Sequence, residues 1–196
     1  MIRHIDLSSV LRRSVCDLYS NLVTRPTGAA VRTEIEQLLS SVNGPSLTVI
    51  DFSHVGLLDY SCADEVVAKL LLRYCASTAP VAKYFVFRGL QESHVHAVEA
   101  ALARYGLALV LERHDGEVQL VGVIHDDEKR AWDTVCRLGA GDAATIAAAM
   151  GTEAPATEEL LNSLSERRLL MRLDQQYLAI AARGGRVVVP EGVTDA

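Results

Sequence analysis

Carboxylate and hydroxyl side chains are concentrated in residues 51–65. They are Asp51, Asp59, Ser61, Asp64 and Glu65. Such a group could act as an acid–base pair or bind Mg²⁺, since hard cations prefer carboxylate oxygens. Each residue also has an ordinary structural role, because Asp51 would end a strand and Asp64 and Glu65 would lie in the first turn of a helix, where negative charge is favourable. The sequence favours the structural roles.

The residues around this group are typical of a strand, a loop and a helix. Residues 47–52 form a nearly continuous apolar run, which predicts a strand that is buried on both faces of a sheet. After Gly56, apolar residues recur at helical spacing over 63–71. Ser61 is the predicted N-cap of this helix, and we expect Asp64 to reach back to it as in a capping box.

The composition indicates a globular protein. The chain has 196 residues, of which 49% are apolar and 22% are charged, so it can bury a core. Its 19 Lys and Arg against 25 Asp and Glu give a formal net charge of −6, which argues against a protein that binds nucleic acid or anionic membrane with its whole surface. No signal-peptide pattern and no apolar run of roughly 20 residues is present. We therefore expect a cytoplasmic protein without membrane association.

Cysteine and histidine spacing does not indicate a metal site. The 4 cysteines show no CxxC pair, and His94 and His96, two positions apart, would face different ways on a helix. The sequence also contains no GxSxG, GxGxxG or P-loop motif. We predict no metal, no cofactor and no catalytic activity.

Strand and helix patterns alternate over residues 1–125, which predicts an α/β fold. Strands are predicted at 2–7, 47–52, 81–87, 107–111 and 118–124, and helices at 29–42 and 91–105 besides the helix after Ser61. Thr24–Gly28 has the composition of a turn before the helix at 29–42. Asp115-Gly116 predicts a hairpin between the last two strands.

A charged run, His125–Arg130, is interpreted as a domain boundary, although it could equally be only the start of a helix. Helices are predicted at 129–138, at 143–150 with Asp142 as cap, and at 158–169 with Thr157 as cap, followed by a hairpin at 171–180. Three helices followed by a two-stranded wing is winged-helix order. The predicted organisation is an α/β domain at 1–125, a small winged-helix-like domain at 126–190 and a flexible tail at 191–196.

A winged helix suggests DNA binding, and arginines that could contact phosphates follow the third helix. They are Arg167, Arg168, Arg172, Arg183 and Arg186. Charge argues the other way, because residues 126–196 contain eight Lys or Arg and twelve Asp or Glu, a net charge of −4, and Glu158-Glu159 open the helix that would face the bases. Both a DNA-binding module and a protein-binding or dimerising module stay open.

Three segments of the chain form a recognisable order, Thr24–Gly28 before a helix, Val49–Val55, and Tyr60–Glu65 at the start of the next helix. Together they resemble the STAS fold of anti-sigma-factor antagonists, and more closely its STAS-like branch. The similarity covers about residues 20–110. It implies a STAS-like mixed sheet with helices and a non-enzymatic switch, whose partners are ATP-binding kinase-like proteins of the anti-sigma type. Helix 64–72 and the loop before it would form the contact surface.

In the antagonists the motif is Asp-Ser-Ser-Gly, and its second serine is phosphorylated by the partner kinase. By position, Ser61 and Asp59 match this motif, whereas Tyr60 replaces the first serine and Cys62 the glycine. A helix N-terminus favours a phosphate, while the nearby carboxylates would repel a group that carries roughly −1.5 to −2 charges. Ser61 is either a phospho-acceptor or a plain N-cap.

The residues expected to contact a partner lie at this helix start and in the turn before the preceding helix. They are Arg25, Asp59, Tyr60, Ser61, Asp64 and Glu65. Arg25 could neutralise the acidic group or a phosphate, although a turn arginine is more often only solvated. A homodimer is also compatible with the sequence.

Overall fold

A five-stranded sheet organises the part of the chain that the computed structural model describes, residues 2–14, 20–75 and 81–180. Its strands are β1 (Ile2–Asp6), β2 (Ser46–Asp51), β3 (Lys83–Arg88), β4 (Ala108–Glu112) and β5 (Val118–Gly122), which lie side by side in chain order. β1 to β4 are parallel, and β4 and β5 form an antiparallel hairpin. The predicted α/β class is confirmed.

Helices from the first part of the chain cover one face of this sheet. They are α1 (Leu7–Ser14), α2 (Arg25–Ser40), α3 (Tyr60–Ala63), a π-helical turn (Asp64–Ala68), α4 (Lys69–Tyr74) and α5 (Glu92–Ala103). The three segments of residues 60–74 follow one another directly and are called the central helix below. Its Val66 and Val67 are fully buried, in one cluster with Ile50 and Phe87 of the sheet.

The chain after β5 covers the other face of the sheet. It forms α6 (Asp126–Leu138), β6 (Ala140–Gly141), α7 (Ala143–Met150), α8 (Ala154–Glu166), β7 (Leu170–Leu173) and β8 (Gln176–Ala179), and the short strands pair antiparallel in the order β6-β8-β7. Trp132 and Leu164 share one buried cluster with Val49, Val86 and Val110 of the large sheet. β2 is therefore buried on both faces, as its apolar run predicts.

Helices α2 and α8 begin earlier than predicted. Thr24 is the N-cap of α2, so that Thr24–Gly28 opens the helix instead of forming a turn before it. α8 begins at Ala154, with Thr157 buried inside it. α6 begins at Asp126, before the predicted Lys129, so the charged run His125–Arg130 is the start of a helix, as its alternative interpretation holds. Proline explains the first two errors, because Pro26 and Pro155 lie in the first helical turn, where a missing N–H costs nothing.

Some predictions concern residues outside the described ranges. Arg183, Arg186 and the predicted tail at 191–196 are among them. Within the described ranges, none of the helices has both the length and the apolar character that crossing a membrane requires.

The shared core predicts that the sheet and residues 126–180 unfold together. Val86→Ala removes two methyl groups from the face that packs on Trp132, and we expect it to lower the free energy of unfolding by roughly 1–3 kcal/mol. Trp132 is the single tryptophan, so its fluorescence and the circular dichroism of the whole chain should shift to the same lower urea midpoint. Val123→Ala, at a position that is 41% exposed, is the control. A Trp132 transition that stays unchanged in Val86→Ala would contradict the shared core.

Candidate functional site

The loop before the central helix is held by backbone hydrogen bonds to residues 20–22. Leu22 N–H donates to the carbonyl of Leu57 (2.7 Å), and Asp59 N–H donates to the carbonyl of Leu22 (2.9 Å). Gly56 N–H donates to the carbonyl of Ser20 (2.8 Å). The loop backbone is thus paired like a short parallel strand, which restricts its conformation.

Two large side chains, one on this loop and one on the first residue of the central helix, are exposed to solvent. Leu57 is 57% exposed and Tyr60 is 39% exposed, whereas Leu58 between them is buried. The Tyr60 hydroxyl lies 3.5 Å from Nη1 of Arg104, the residue that follows α5. The segment therefore presents apolar surface on a backbone that is already ordered.

Asp59, and not Ser61, is the N-cap of the central helix. Its Oδ1 accepts from the N–H of Cys62 (2.8 Å) and from the hydroxyl of Ser61 (2.8 Å). The prediction that Ser61 caps the helix is therefore wrong, because the bond from Asp59 N–H to Leu22 ends the loop at Asp59 and the helix begins at Tyr60. Ser61 lies inside the first turn and is half-buried.

Asp64 and Glu65, which directly follow the first turn of the central helix, are buried. Their side chains are only 1% and 4% exposed, and Nη1 of Arg25 donates to Asp64 Oδ2 (2.7 Å) and to Glu65 Oε1 (2.8 Å). The Tyr105 hydroxyl donates to Asp64 Oδ1 (2.9 Å), and Lys69 bonds to Glu65. The predicted reach of Asp64 back to the helix start is wrong, because its oxygens bond to these partners instead.

The surrounding donors keep both carboxyl groups ionised. Burial opposes ionisation of Asp64, but hydrogen bonds from Arg25 and Tyr105 outweigh it and hold the pKa below the ordinary 3.8. For Glu65, burial is likewise outweighed by Lys69 and Arg25, and the pKa lies below 4.5. The hydrogen bond to Asp64 raises the pKa of the Tyr105 phenol.

The structure brings together only part of the predicted contact surface. Tyr60 is exposed, Arg25 has a side chain that is 45% exposed, and Asp59 and Ser61 are half-buried. Asp64 and Glu65 are buried, with oxygens that face cations of their own chain, and their contact with a partner stays a prediction. Residues 62–68 are all buried, so the central helix offers little outer surface of its own.

Sequence reasoning missed several residues of the site. The partners of the buried carboxylates include Arg32 on α2, 3.3 Å from Glu65, and Tyr105, 41 positions from Asp64. Partners so far apart in the chain leave no local pattern in the sequence. The i,i+4 spacing of Glu65 and Lys69, in contrast, is a pattern from which their ion pair could have been predicted. Leu57 also went unnoticed, since an apolar loop residue resembles a core residue in sequence.

His94 is a further missed residue, and it ties α5 to the loop. It is buried, its Nδ1 lies 3.3 Å from the N–H of Gln91, and its Nε2 lies 3.1 Å from the carbonyl of Gly56. Because the backbone N–H must donate to Nδ1, Nε2 carries the proton that is donated to Gly56. This bond fixes the start of the loop from the α5 side.

Three of the predicted phosphate contacts, Arg167, Arg168 and Arg172, contact their own chain. Arg167 donates to Glu128 (2.9 Å) and to the carbonyl of Val123. Arg172 donates to Asn162 of α8 (2.8 Å), and Arg168 lies over the ring of Tyr84 on β3 at 5.9 Å. Arg168 thus contacts the sheet, whereas Arg172 connects elements within residues 126–180.

Comparisons of the chain with protein-family models, with curated proteins and with solved structures found no match. The STAS-like and winged-helix resemblances therefore stay predictions. Among the residues that the structure describes, no three His, Cys, Asp or Glu side chains are grouped so as to hold a metal ion.

The buried carboxylates predict a specific pH dependence of stability. Because the pKa of Glu65 is lower in the folded chain than its ordinary 4.5, the folded state binds fewer protons than the unfolded state, and stability falls as the pH falls through this window. We expect Glu65→Gln to lower the free energy of unfolding by about 1–3 kcal/mol at neutral pH, and by less in acid, where wild-type Glu65 is also neutral.

Urea unfolding of both proteins from neutral pH down to the acid range measures this difference. Glu159→Gln, at an exposed position of α8, is the matched control and should behave as wild type throughout. A difference between Glu65→Gln and wild type that does not shrink in acid would contradict the ionised, paired state of Glu65.

Proposed function

We propose that the chain is a non-enzymatic regulatory protein that acts by contact with another protein, as STAS-like partner-switching proteins do. The observation that carries this proposal is the exposed pair of Leu57, on the loop whose backbone is already paired, and Tyr60, the first residue of the central helix. Apolar and aromatic side chains on an ordered backbone contribute contact area at a low entropic cost, which is typical of protein-binding surfaces.

Ser61 lies directly beside this exposed pair, and its hydroxyl donates to Asp59. Phosphorylation would replace that donor with a dianion next to the carboxylate of Asp59, which caps the helix. Repulsion between the two would destabilise the helix start and the loop before it. Asp64 and Glu65 would oppose a phosphate much less than their sequence positions indicate, since both are paired with cations. An ATP-binding kinase of the anti-sigma type is the proposed partner, and Ser61 its proposed target.

Residues 126–180 support a second candidate function. The order α6-β6-α7-α8-β7-β8 is compatible with the order expected of a winged helix, in which the third helix would enter the major groove. The exposed side of α8, however, carries Glu158, Glu159 and Glu166, and carboxylates would meet the phosphates of DNA at a cost. We therefore propose a protein-facing or dimerising role for this part, with DNA binding as the alternative.

Removal of the exposed aromatic ring tests the contact proposal. Tyr60→Ala should weaken capture of the proposed ATP-binding partner from the lysate of the native host by at least about tenfold, because exposed aromatic residues contribute strongly to such contacts. Quantitative mass spectrometry of the captured proteins is the measurement. Val123→Ala is the matched control, since Val123 is 41% exposed between β5 and α6, outside residues 126–180.

Equal capture by wild type and Tyr60→Ala would contradict the loop as contact site. A purified chain that turns over a metabolite would contradict the non-enzymatic proposal. Ser61→Glu should lower capture as Tyr60→Ala does, whereas Ser61→Ala should retain it.

DNA binding is tested by the fluorescence anisotropy of labelled genomic fragments at several salt concentrations. Contacts between arginines and phosphates release counterions, so real binding would give an affinity that falls steeply with salt. We expect no saturable binding by the wild-type chain. A steep salt dependence that is reduced in Arg172→Gln would support the DNA-binding alternative instead.

A further inference from the structure

Cations form an outer layer over buried carboxylates between α2 and the central helix. The cations are Arg25, Arg32, Lys69 and Arg73, with side chains 45%, 24%, 36% and 59% exposed, and the carboxylates are Glu36, Asp64 and Glu65, with side chains 12%, 1% and 4% exposed. These four cations are called the cationic surface below. Four cations over three carboxylates leave a net charge of +1, on a chain whose formal charge is −6.

Because the cations lie outside the carboxylates, this layer is more positive toward an approaching molecule than its net charge of +1 indicates. The carboxylates lie inside, and the guanidinium and ammonium groups lie between them and the solvent. A carboxylate that contacts the outer cations lies closer to them than to the carboxylates behind them, and because charge–charge energy falls with distance, its attraction to the cations exceeds the repulsion. Without these seven residues the formal charge of the chain is −7 (−6 − 1), so the positive outer layer contrasts with the average of the chain and favours an anionic partner.

Two arginines of the cationic surface retain donors for such a partner. Arg25 donates through Nη1 to Asp64 and Glu65, and Arg73 donates through Nη1 to Glu36. A guanidinium has five N–H donors, and within residues 2–14, 20–75 and 81–180 no acceptor is bonded to Nε or Nη2 of either arginine. Both side chains are about half-exposed, so these donors can reach a carboxylate of another molecule.

The spacing of the cations favours an extended partner over a single small anion. Arg25 and Arg32 are two helical turns apart on α2, which is about 10 Å. Lys69 and Arg73 lie one turn apart at the far end of the central helix. Exposed apolar residues lie at both ends of the central helix, Tyr60 as its first residue and Leu72, 41% exposed, next to Arg73 in the sequence. A polypeptide with several acidic and some apolar side chains matches this pattern better than a lone phosphate does.

We propose that the cationic surface binds an acidic segment of the protein partner, whose Asp or Glu side chains accept from the spare donors of Arg25 and Arg73. This inference rests on the proposed function, since the same partner would contact the loop around Tyr60. It adds the chemical class of the partner, which is an acidic and partly apolar polypeptide.

A titration of the ¹⁵N-labelled full chain with a short oligoglutamate peptide tests the inference. We expect saturable shifts of backbone amides in residues 25–32 and 69–73, and binding that weakens with added salt. Arg73→Glu should weaken the binding by about tenfold or more, because it places a like charge opposite the peptide. Arg113→Glu is the matched control, since Arg113 is equally exposed (57%) on the β4–β5 hairpin. Arg73→Gln introduces no repulsion with Glu36. It therefore distinguishes weaker peptide binding at the surface from a loss of binding caused only by unfolding.

Each outcome decides the inference. An absence of saturable shifts, or equal weakening by Arg73→Glu and Arg113→Glu, overturns it. The same shifts with inorganic phosphate alone also overturn it, since the surface would then be a site for a small anion. Tyr60→Ala should bind the peptide as wild type does. If the peptide does not bind, the proposed partner contact through Leu57 and Tyr60 is unaffected. If Tyr60→Ala does not weaken partner capture, the proposed binding of an acidic segment is unaffected.

Discussion

Two adjacent carboxylates, Asp64 and Glu65, are buried in the interior, and much of the structure around the candidate site follows from the need to compensate their charge. An isolated buried carboxylate costs several kcal/mol, and good geometry with hydrogen bonds from opposite charges is required to offset that cost. Arg25 and Arg32 come from α2, Lys69 from the central helix itself, and Tyr105 from the end of α5. The pair thus constrains how three helices pack. Gly28 permits the close approach of α2, because a Cβ there would lie 3.0 Å from both Cys62 Cα and Glu65 Cβ.

The same constraint separates the interior of the site from its outer surface. Because the carboxylates take the inner positions of the π-helical turn, the cations that compensate them lie outside and face solvent. Ahead of that turn, Asp59 ends a loop that is paired with residues 20–22 and anchored by His94. Leu57 on this loop and Tyr60, the first residue of the central helix, are exposed. An apolar loop and a cationic surface therefore adjoin each other, and both are compatible with contact to a protein.

Elements with local patterns could be predicted from sequence. β2 and β3 were predicted because their apolar runs are buried on both sides, and the β4–β5 hairpin because of Asp115-Gly116. The helix capped by Asp142 was also predicted with its correct bounds, Ala143–Met150. Features that depend on distant partners could not be predicted. The burial of Asp64 and Glu65 depends on Arg25, which is 39 and 40 positions away in the chain. From the local sequence alone, two acids near a helix start are better explained by the favourable interaction of negative charge with the helix N-terminus. The choice of Asp59 over Ser61 as cap depends likewise on a backbone bond to Leu22.

The central claim is that Asp64 and Glu65 are ionised, buried and held by Arg25. The most direct measurement is the titration of the side-chain carboxyl ¹³C resonances of the folded chain. The claim predicts that Asp64 titrates below its ordinary 3.8 and Glu65 below 4.5, and that both pKa values rise in Arg25→Gln, which removes the hydrogen bonds that outweigh burial. A carboxyl that titrates above its ordinary value in the wild-type chain, or pKa values that do not change in Arg25→Gln, would contradict it.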